Sequence, residues 1–314
     1  MNGDLGRAHM NSETNWLEER LNGRGDPIVI DGGMGTELEK AGVEMHGEIW
    51  AGAAVLNSPN AVRQAHEDFL RAGAEVLITN TFSAGRHRLE PSGLGEHVGE
   101  INTNAVRLAQ QACENAADRP VAIYGAICEW ASPEDRDWDV PGAIGKSVRE
   151  QAQLLHAAGV DGLAVEMCER VEFSVAAVEA AMETGLPVWI GVSAQRHKDS
   201  SEIPTFDYAD RSLDELVSEL AKFPATAMTI MHTPAPDVAE ALAVVRRHWN
   251  GPVGVYPESG FFTMPNWNFV DVIAPEALAE AARGWVHDNV RMVGGCCGLG
   301  PEHIAALCHA VRPA

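Results

Sequence analysis

Short apolar segments recur along the chain, separated by longer stretches with helical periodicity. The apolar segments cover 27–31, 75–80, 121–126, 162–166, 188–193, 227–232, 253–257 and 290–294. They are rich in β-branched residues, and each ends near Gly, Asn, Cys, Glu or His, which is the signature of short buried strands. Amphipathic stretches at 61–72, 101–116, 145–158, 171–184, 213–222, 237–249 and 276–285 fall between them. Strands alternating with helices predict parallel strands joined by crossovers, and eight such units suit a single-domain (β/α)8 TIM barrel over 26–314. A doubly wound open sheet is the alternative. The barrel is favoured because Asp31, Asn80, Glu166, His232 and Cys296 stand at or just past the C-terminal ends of predicted strands. In a barrel those ends converge on one mouth, whereas an open sheet would spread them along an edge. Three strand-to-helix connections are long, at 127–144, 194–213 and 258–273, and long loops at that face usually close over ligands.

Residues 1–25 read as a polar tail with one short helix over 16–21, capped by Ser12 or Thr14. The 314 residues are 46% hydrophobic and 22% charged, enough for a sizeable core. The net charge of −22 disfavours nucleic acid and anionic membranes as partners. No apolar window is long enough to span a bilayer, and the first twenty residues lack the apolar core of a secretory signal. Six cysteines in a chain of this length make no dense disulfide framework, so the expected compartment is the reducing cytoplasm, where paired cysteines more often bind metal or catalyse.

Cys296 and Cys297 are adjacent, in the run Gly294-Gly295-Cys296-Cys297-Gly298. Neighbouring side chains on an extended strand point to opposite faces. Glycine flanks permit backbone geometries in which both sulfurs turn to one point. Two thiolates at one point suit a soft metal, most often zinc. The other readings are a pair of small buried side chains or a vicinal disulfide, under which the glycines serve no purpose. A catalytic zinc takes three protein ligands and keeps one position open. His232, at the end of the sixth segment and before Thr233-Pro234, is the expected third ligand. Thiolate-rich zinc suits binding and deprotonating a substrate thiol, which then remains a nucleophile near neutral pH.

Asp31, in Asp31-Gly32-Gly33-Met34-Gly35-Thr36, and Glu166 both end strands, and either can pair with a substrate ammonium group. The glycines after Asp31 let backbone N–H groups approach a substrate carboxylate. This run lacks the GxGxxG spacing and the P-loop lysine of nucleotide sites. Of eight tryptophans, Trp50, Trp130, Trp138 and Trp267 fall near the expected mouth, where aromatic faces attract quaternary ammonium or sulfonium groups.

These residues resemble the homocysteine S-methyltransferase family. The resemblance rests on Asp31 to Leu38, Thr79-Asn80-Thr81-Phe82, Gly159-Val160-Asp161 leading to Glu166, Val255-Tyr256-Pro257 with Gly260, and Gly294 to Gly298 with Pro301, His303 and Ile304. It spans roughly 26–308 in the family's order. It implies a zinc (β/α)8 barrel that binds homocysteine as a thiolate, attacks a methyl on sulfur or nitrogen and yields methionine. It places the substrate amino group at Asp31 and Glu166, and Gly33, Met34, Trp50, Asn80 and Tyr256 complete the expected substrate-binding set. The metal set is His232, Cys296 and Cys297 with Zn2+, and the substrate thiolate itself is the nucleophile, with no further catalytic side chain. The partners are a small thiol and a methyl donor, and a homo-oligomer is compatible with the family.

Three departures stand out. The family's third ligand is a cysteine after Asn at the sixth strand, where this chain has Met231-His232. Tyrosines of betaine-using members correspond to Ser83 and Met167, which weakens betaine as donor. Glu258 replaces a commoner Asn. An altered Cys2His zinc acting on another thiol or as a hydrolase or lyase, and a non-catalytic thiol- or metal-binding protein, are the alternative readings.

Overall fold

The eight apolar segments form eight parallel strands, and the chain between them returns through helices on the outside. A computed structural model describes residues 15–131, 137–198, 200 and 202–312. The expected caps Ser12 and Thr14 lie outside the described residues, as does the 132–136 part of the 127–144 loop.

The first half comprises α1 (Asn15–Leu21), β1 (Ile28–Val29), α2 (Met34–Lys40), α3 (Ala54–Asn57), α4 (Pro59–Ala72), β2 (Val76–Ile78), α5 (Arg86–Leu89), α6 (Val98–Ala116), β3 (Ala122–Cys128) and α7 (Pro141–Ala158). The second half comprises β4 (Gly162–Cys168), α8 (Val171–Met182), β5 (Val188–Val192), α9 (Leu213–Leu220), β6 (Ala227–Pro234), α10 (Val238–His248), β7 (Val253–Glu258), β8 (Phe261–Thr263), β9 (Asn266–Asn268), α11 (Pro275–His287), β10 (Met292–Val293) and α12 (Pro301–Val311). The seven helical stretches read from the sequence are all present, with ends that differ by a few residues. The 258–273 connection, read from the sequence as a long loop, holds an antiparallel hairpin, β8–β9.

The eight-stranded sheet runs β1-β10-β7-β6-β5-β4-β3-β2, all parallel. A parallel bridge between Ile30 and Val76 joins the two outer strands, and the Asp31 amide donates to the Val76 carbonyl at 3.0 Å. The sheet is thereby a nearly closed barrel, and the open-sheet alternative is excluded.

Strand alternation sorts the side chains into two layers. Ile28, Ile30, Val76, Tyr124, Trp189 and Met292 fill the barrel interior, where Tyr124 stacks on Trp189 with ring centroids 3.8 Å apart. Val29, Leu77, Ile127, Val165, Ile190 and Val293 face outward and pack under the helices. Helices α4 and α7 begin with proline in the first turn and end at glycines with left-handed geometry, Gly73 and Gly159, the favoured arrangement at both termini. No helix among the described residues is long and apolar enough to cross a membrane.

The short helix α1 closes the end opposite the mouth. Leu17 and Leu21 are buried with Ile28 and Met292. The Arg20 guanidinium reaches the Glu75 carboxylate and the Pro27 carbonyl, while Arg291 donates to the Arg20 carbonyl at 2.9 Å. Replacing Leu21 by alanine removes packing at that end and is expected to cost about 2–3 kcal/mol of unfolding free energy in urea. The reactivity of Cys296 and Cys297 toward a thiol reagent should stay at the wild-type level, because the mouth lies at the other end of the strands.

Candidate metal and substrate site

The cysteine pair sits in a loop held on both sides by backbone hydrogen bonds. After β10 ends at Val293, Gly294 N–H donates to the Val255 carbonyl, Gly295 N–H to Asp31 and Cys296 N–H to Pro257, at 3.0, 3.0 and 2.8 Å. The Cys297 carbonyl accepts from Ser259 N–H at 3.0 Å, and Gly298 N–H donates to the Thr36 hydroxyl at 3.1 Å. The loop is thus stitched to the ends of β1 and β7. Gly298 has φ +83, where a side chain would be strained and would collide with the Ser259 carbonyl. Gly33 packs against the loop so closely that a Cβ there would lie 2.5 Å from the Cys296 carbonyl oxygen.

This backbone turns both sulfurs inward, 3.8 Å apart. Nδ1 of His232 lies 3.8 Å from Sγ of Cys296. The ligand atoms of His232, Cys296 and Cys297 all fall within 4.8 Å of one another. Two thiolates bound tetrahedrally to zinc at about 2.3 Å stand about 3.8 Å apart. The sulfur spacing and the donor set of two thiols and one imidazole therefore fit that ion.

Two strand ends are bent to make this geometry. The β6–β7 register shifts between Met231 and Pro234, and His232 inside that shift has φ +46. The β4–β5 register shifts between Val165 and Cys168, and Met167 there has φ +57. Bulges of this kind re-aim side chains at sheet ends. The Phe206 ring lies 4.6 Å from the His232 ring, centroid to centroid, and covers one face of the imidazole.

The carboxylates stand around this cluster, all buried. Asp31 Oδ2 accepts from the Ile78 amide at 2.9 Å. Glu166 Oε1 accepts from the Tyr256 hydroxyl at 2.9 Å. Burial, and after the Ile78 hydrogen bond's opposing pull the charge of Glu166, hold the Asp31 carboxyl well above the usual range. Burial, with Cys296 adding to it, pushes Glu166 up to about 8. No Lys or Arg pairs with either group among the described residues. Cys297 donating to Cys296 is the main reason the Cys296 thiol is brought down to about 5, and His232 acts in the same direction. Burial works against a charged His232, but Glu258 and Cys296 outweigh it and hold the imidazole well above its ordinary value.

The remaining expected residues divide into two groups. Tyr256 is in the interior and orients Glu166, as above. Gly33 supports the cysteine loop. Asn80 is turned toward the loop before α3, its amide donating to the Ala51 carbonyl at 3.0 Å. Met34 packs with Leu38, Ile49 and Val55, outside the barrel interior. Trp50 lies over Gly35, meets Phe262 edge-on at 5.9 Å and has a buried indole N–H without a partner. Among the other tryptophans, Trp130 carries Arg88 over its ring at 4.4 Å, Trp138 lies 6.4 Å from the His87 ring, and Trp267 donates to the Ser259 carbonyl at 3.2 Å.

Sequence reasoning passed over two features of the mouth. Glu258 stood out only as a departure, yet its Oε2 lies 2.8 Å from His232 Nδ1. Glu129, Glu169 and Asp207 form a second acidic group, in which Glu169 accepts from the Asp207 amide at 2.7 Å and burial pushes it up to about 8. Glu129 and Glu169 directly follow β3 and β4, which run two residues past the apolar segments read from the sequence, so neither stood at an expected strand end.

The fold and this cluster define a (β/α)8 barrel with an imidazole–dithiol group at its C-terminal mouth. The chain belongs to the homocysteine S-methyltransferase family, whose model matches residues 28–311. It is 31% identical over 307 residues to the S-methylmethionine–homocysteine S-methyltransferase of Rattus norvegicus, covering 94% of this chain and 81% of that one. It is 29% identical over 309 residues to betaine–homocysteine S-methyltransferase 1 of Mus musculus, covering 94% and 74%. The metallated form of the homocysteine methyltransferase MmuM from Escherichia coli shares the fold, with a TM-score of 0.74, 24% identity and coverage of 95% and 99%.

Gly33→Ala is expected to displace the Cys296 carbonyl. The variant should lose about 1–3 kcal/mol in stability, as overpacked sites do, and the reactivity of Cys296 and Cys297 toward a thiol reagent should differ from wild type.

Proposed function

We propose that this chain is a zinc-dependent thiol S-methyltransferase that moves a methyl group from a small sulfonium or ammonium donor to homocysteine, giving methionine. The observation that carries the reading is the convergence of His232, Cys296 and Cys297 within 4.8 Å at the same barrel end as Asp31 and Glu166. Zinc, when held by these three side chains, supplies a Lewis acid that keeps a thiol ionised near neutral pH.

The protein's own part is to bind and orient. Asp31 and Glu166 are buried acids without a cationic partner, so an ammonium group brings the charge that burial otherwise makes costly. The Tyr256 hydroxyl fixes which oxygen of Glu166 remains free for it. The substrate thiolate then attacks the donor methyl carbon. A sulfur–carbon bond forms as the bond to the donor's onium sulfur or nitrogen breaks, and the electron pair stays with the departing neutral group. No proton moves in that step, so no further acid or base is required, and proximity in a dry mouth supplies the rate.

Donor choice follows from charge. The mouth carries Asp31, Glu166, Glu169, Asp207 and Glu258. A donor with net positive charge, such as S-methylmethionine, suits this setting better than betaine, whose carboxylate would meet several acids without a second cation to offset it. Met167 and Ser83, where betaine-using relatives carry tyrosines, point the same way.

Metal analysis should find close to one zinc per chain, and Cys296→Ser and Cys297→Ser should each lose the metal and methionine formation together. Stoichiometric zinc in both variants would contradict the assignment. In assays with homocysteine, S-methylmethionine should exceed betaine in kcat/KM by about tenfold or more, the scale of one unfavourable charge contact of about 1.4 kcal/mol. Stoichiometric zinc with no transfer from S-methylmethionine, S-adenosylmethionine, dimethylsulfoniopropionate or betaine would sink the proposal.

A further inference from the structure

Glu258 and His232 depart from the family pattern together, and in the fold they touch. Glu258 ends β7 and His232 lies in the bulge of the neighbouring β6. Oε2 of Glu258 is 2.8 Å from Nδ1 of His232, and that same nitrogen is the one 3.8 Å from Cys296. One nitrogen thus faces both a carboxylate and the metal cluster. It has one lone pair. Without a metal it can carry a proton between the carboxylate and the thiolate. With a metal, the lone pair goes to the ion and no Nδ1 proton is left for Glu258.

The consequence falls on Oε2. Glu258 is 4% exposed, and Oε2 has no hydrogen-bond donor of its own, since the contact with His232 is close but not aligned as a hydrogen bond. A buried carboxylate stripped of its one cationic neighbour among the described residues is costly. The remaining cation within reach is the metal. Two donors on a tetrahedral zinc at about 2.0–2.1 Å stand about 3.3 Å apart, near the 2.8 Å between Oε2 and Nδ1, and a turn of the Glu258 side chain brings Oε2 toward the sulfurs from outside the 4.8 Å group that His232, Cys296 and Cys297 form.

We propose that Glu258 is a fourth protein ligand of the metal, occupying the open position until substrate thiolate takes its place. This deepens the zinc reading above and rests on it. The charge count is consistent with the pairing of the two departures. Three thiolates around a divalent ion give a net charge of minus one. Two thiolates and an imidazole give zero, and adding a carboxylate restores minus one. The exchange proceeds as the thiolate sulfur binds and the carboxylate oxygen leaves, the thiol proton having passed to solvent.

The test is a zinc-affinity comparison in the full-length protein, by competition with a chromophoric chelator, with and without saturating homocysteine. Glu258→Gln is the main variant. Glu258→Asp, which keeps the charge but shortens the reach, is the second. Thermal unfolding of the metal-free proteins establishes that each variant folds. Without homocysteine, both variants should bind zinc at least about tenfold more weakly than wild type. With saturating homocysteine, the gap should shrink to within about threefold, because the thiolate then fills the position in every protein. By linkage, homocysteine should bind the zinc-loaded Glu258→Gln variant more tightly than it binds wild type. An equal loss with and without homocysteine would show that Glu258 only steadies His232, and no loss in either condition would remove it from the metal altogether. Absence of zinc from the wild type would overturn the underlying reading instead, and is visible before any variant is made.

Discussion

The hydrogen bond from Tyr256 to Glu166 is possible only because the sheet is curled. Tyr256 belongs to β7 and Glu166 to β4, with β6 and β5 between them. In a flat sheet those strands would lie about 14 Å apart, yet the hydroxyl and the carboxylate meet at 2.9 Å across the interior. Closure at Ile30 and Val76 brings Asp31 round to the same space. Four successive neighbours in the sheet, β1, β10, β7 and β6, then deliver Asp31, the cysteine pair, Glu258 and His232. The site is a property of the closed barrel, and no pair of adjacent strands contains it.

Charge balance is the second constraint. The mouth gathers five buried acids, Asp31, Glu129, Glu166, Glu169 and Glu258, from four strand ends, and the bases set among them are His232 beside Glu258 and Arg170, 4.0 Å from Glu129. A cluster of this sign is costly in a protein whose surface is already strongly negative. It is tolerable if ligands carry the missing positive charge. A divalent metal, a substrate ammonium group and an onium donor each bring some of it, which ties the composition of the site to the chemistry proposed for it. The same logic explains why burial holds Asp31 and Glu166 above the ordinary carboxyl range when no ligand is bound.

Much of this was legible in the sequence because the barrel repeats one simple pattern. Alternating apolar strands and amphipathic helices gave the fold class, and the polar residue closing each strand marked the mouth. The Gly-Gly-Cys-Cys-Gly run showed where a metal could sit, although the contacts that demand glycine at 298, and at 33 in the first loop, appear only in the folded chain. What was not legible depended on direction. Asn80 closes a strand as Asp31 does, but its side-chain amide is taken up by the Ala51 carbonyl. Met34 follows the glycines of the first loop yet packs into an outer cluster. The partnership of His232 with Glu258 crosses 26 positions of chain and depends on a bulge that no local pattern encodes. The hairpin at 261–268 did carry a signal, since Phe261, Phe262, Thr263 and Trp267 are of types enriched in strands, but its strands of three residues fall inside what reads as one loop.

Backbone strain shows which of these features the fold sustains at a cost. Five non-glycine residues among those described have positive φ; Asp271, Asn289 and His232 are of types enriched there, Trp50 and Met167 are not, and Trp50, Met167 and His232 belong to the site. Each such residue costs about 1–2 kcal/mol. All three lie at the mouth: Trp50 over Gly35, Met167 one residue past Glu166 and His232 beside the cysteines. The bulge at Met167 leaves Glu166 facing Tyr256, with the Met167 amide donating to the Met231 sulfur at 3.2 Å. Met231 is the residue before His232, so the two bulges touch. Relaxing either strand to regular pairing would shift its side chains to the other face, turning Glu166 or His232 away from the interior. The strain is therefore the local cost of aiming a carboxylate from β4 and an imidazole from β6 at one point, and the contact between the bulges makes those two aims interdependent.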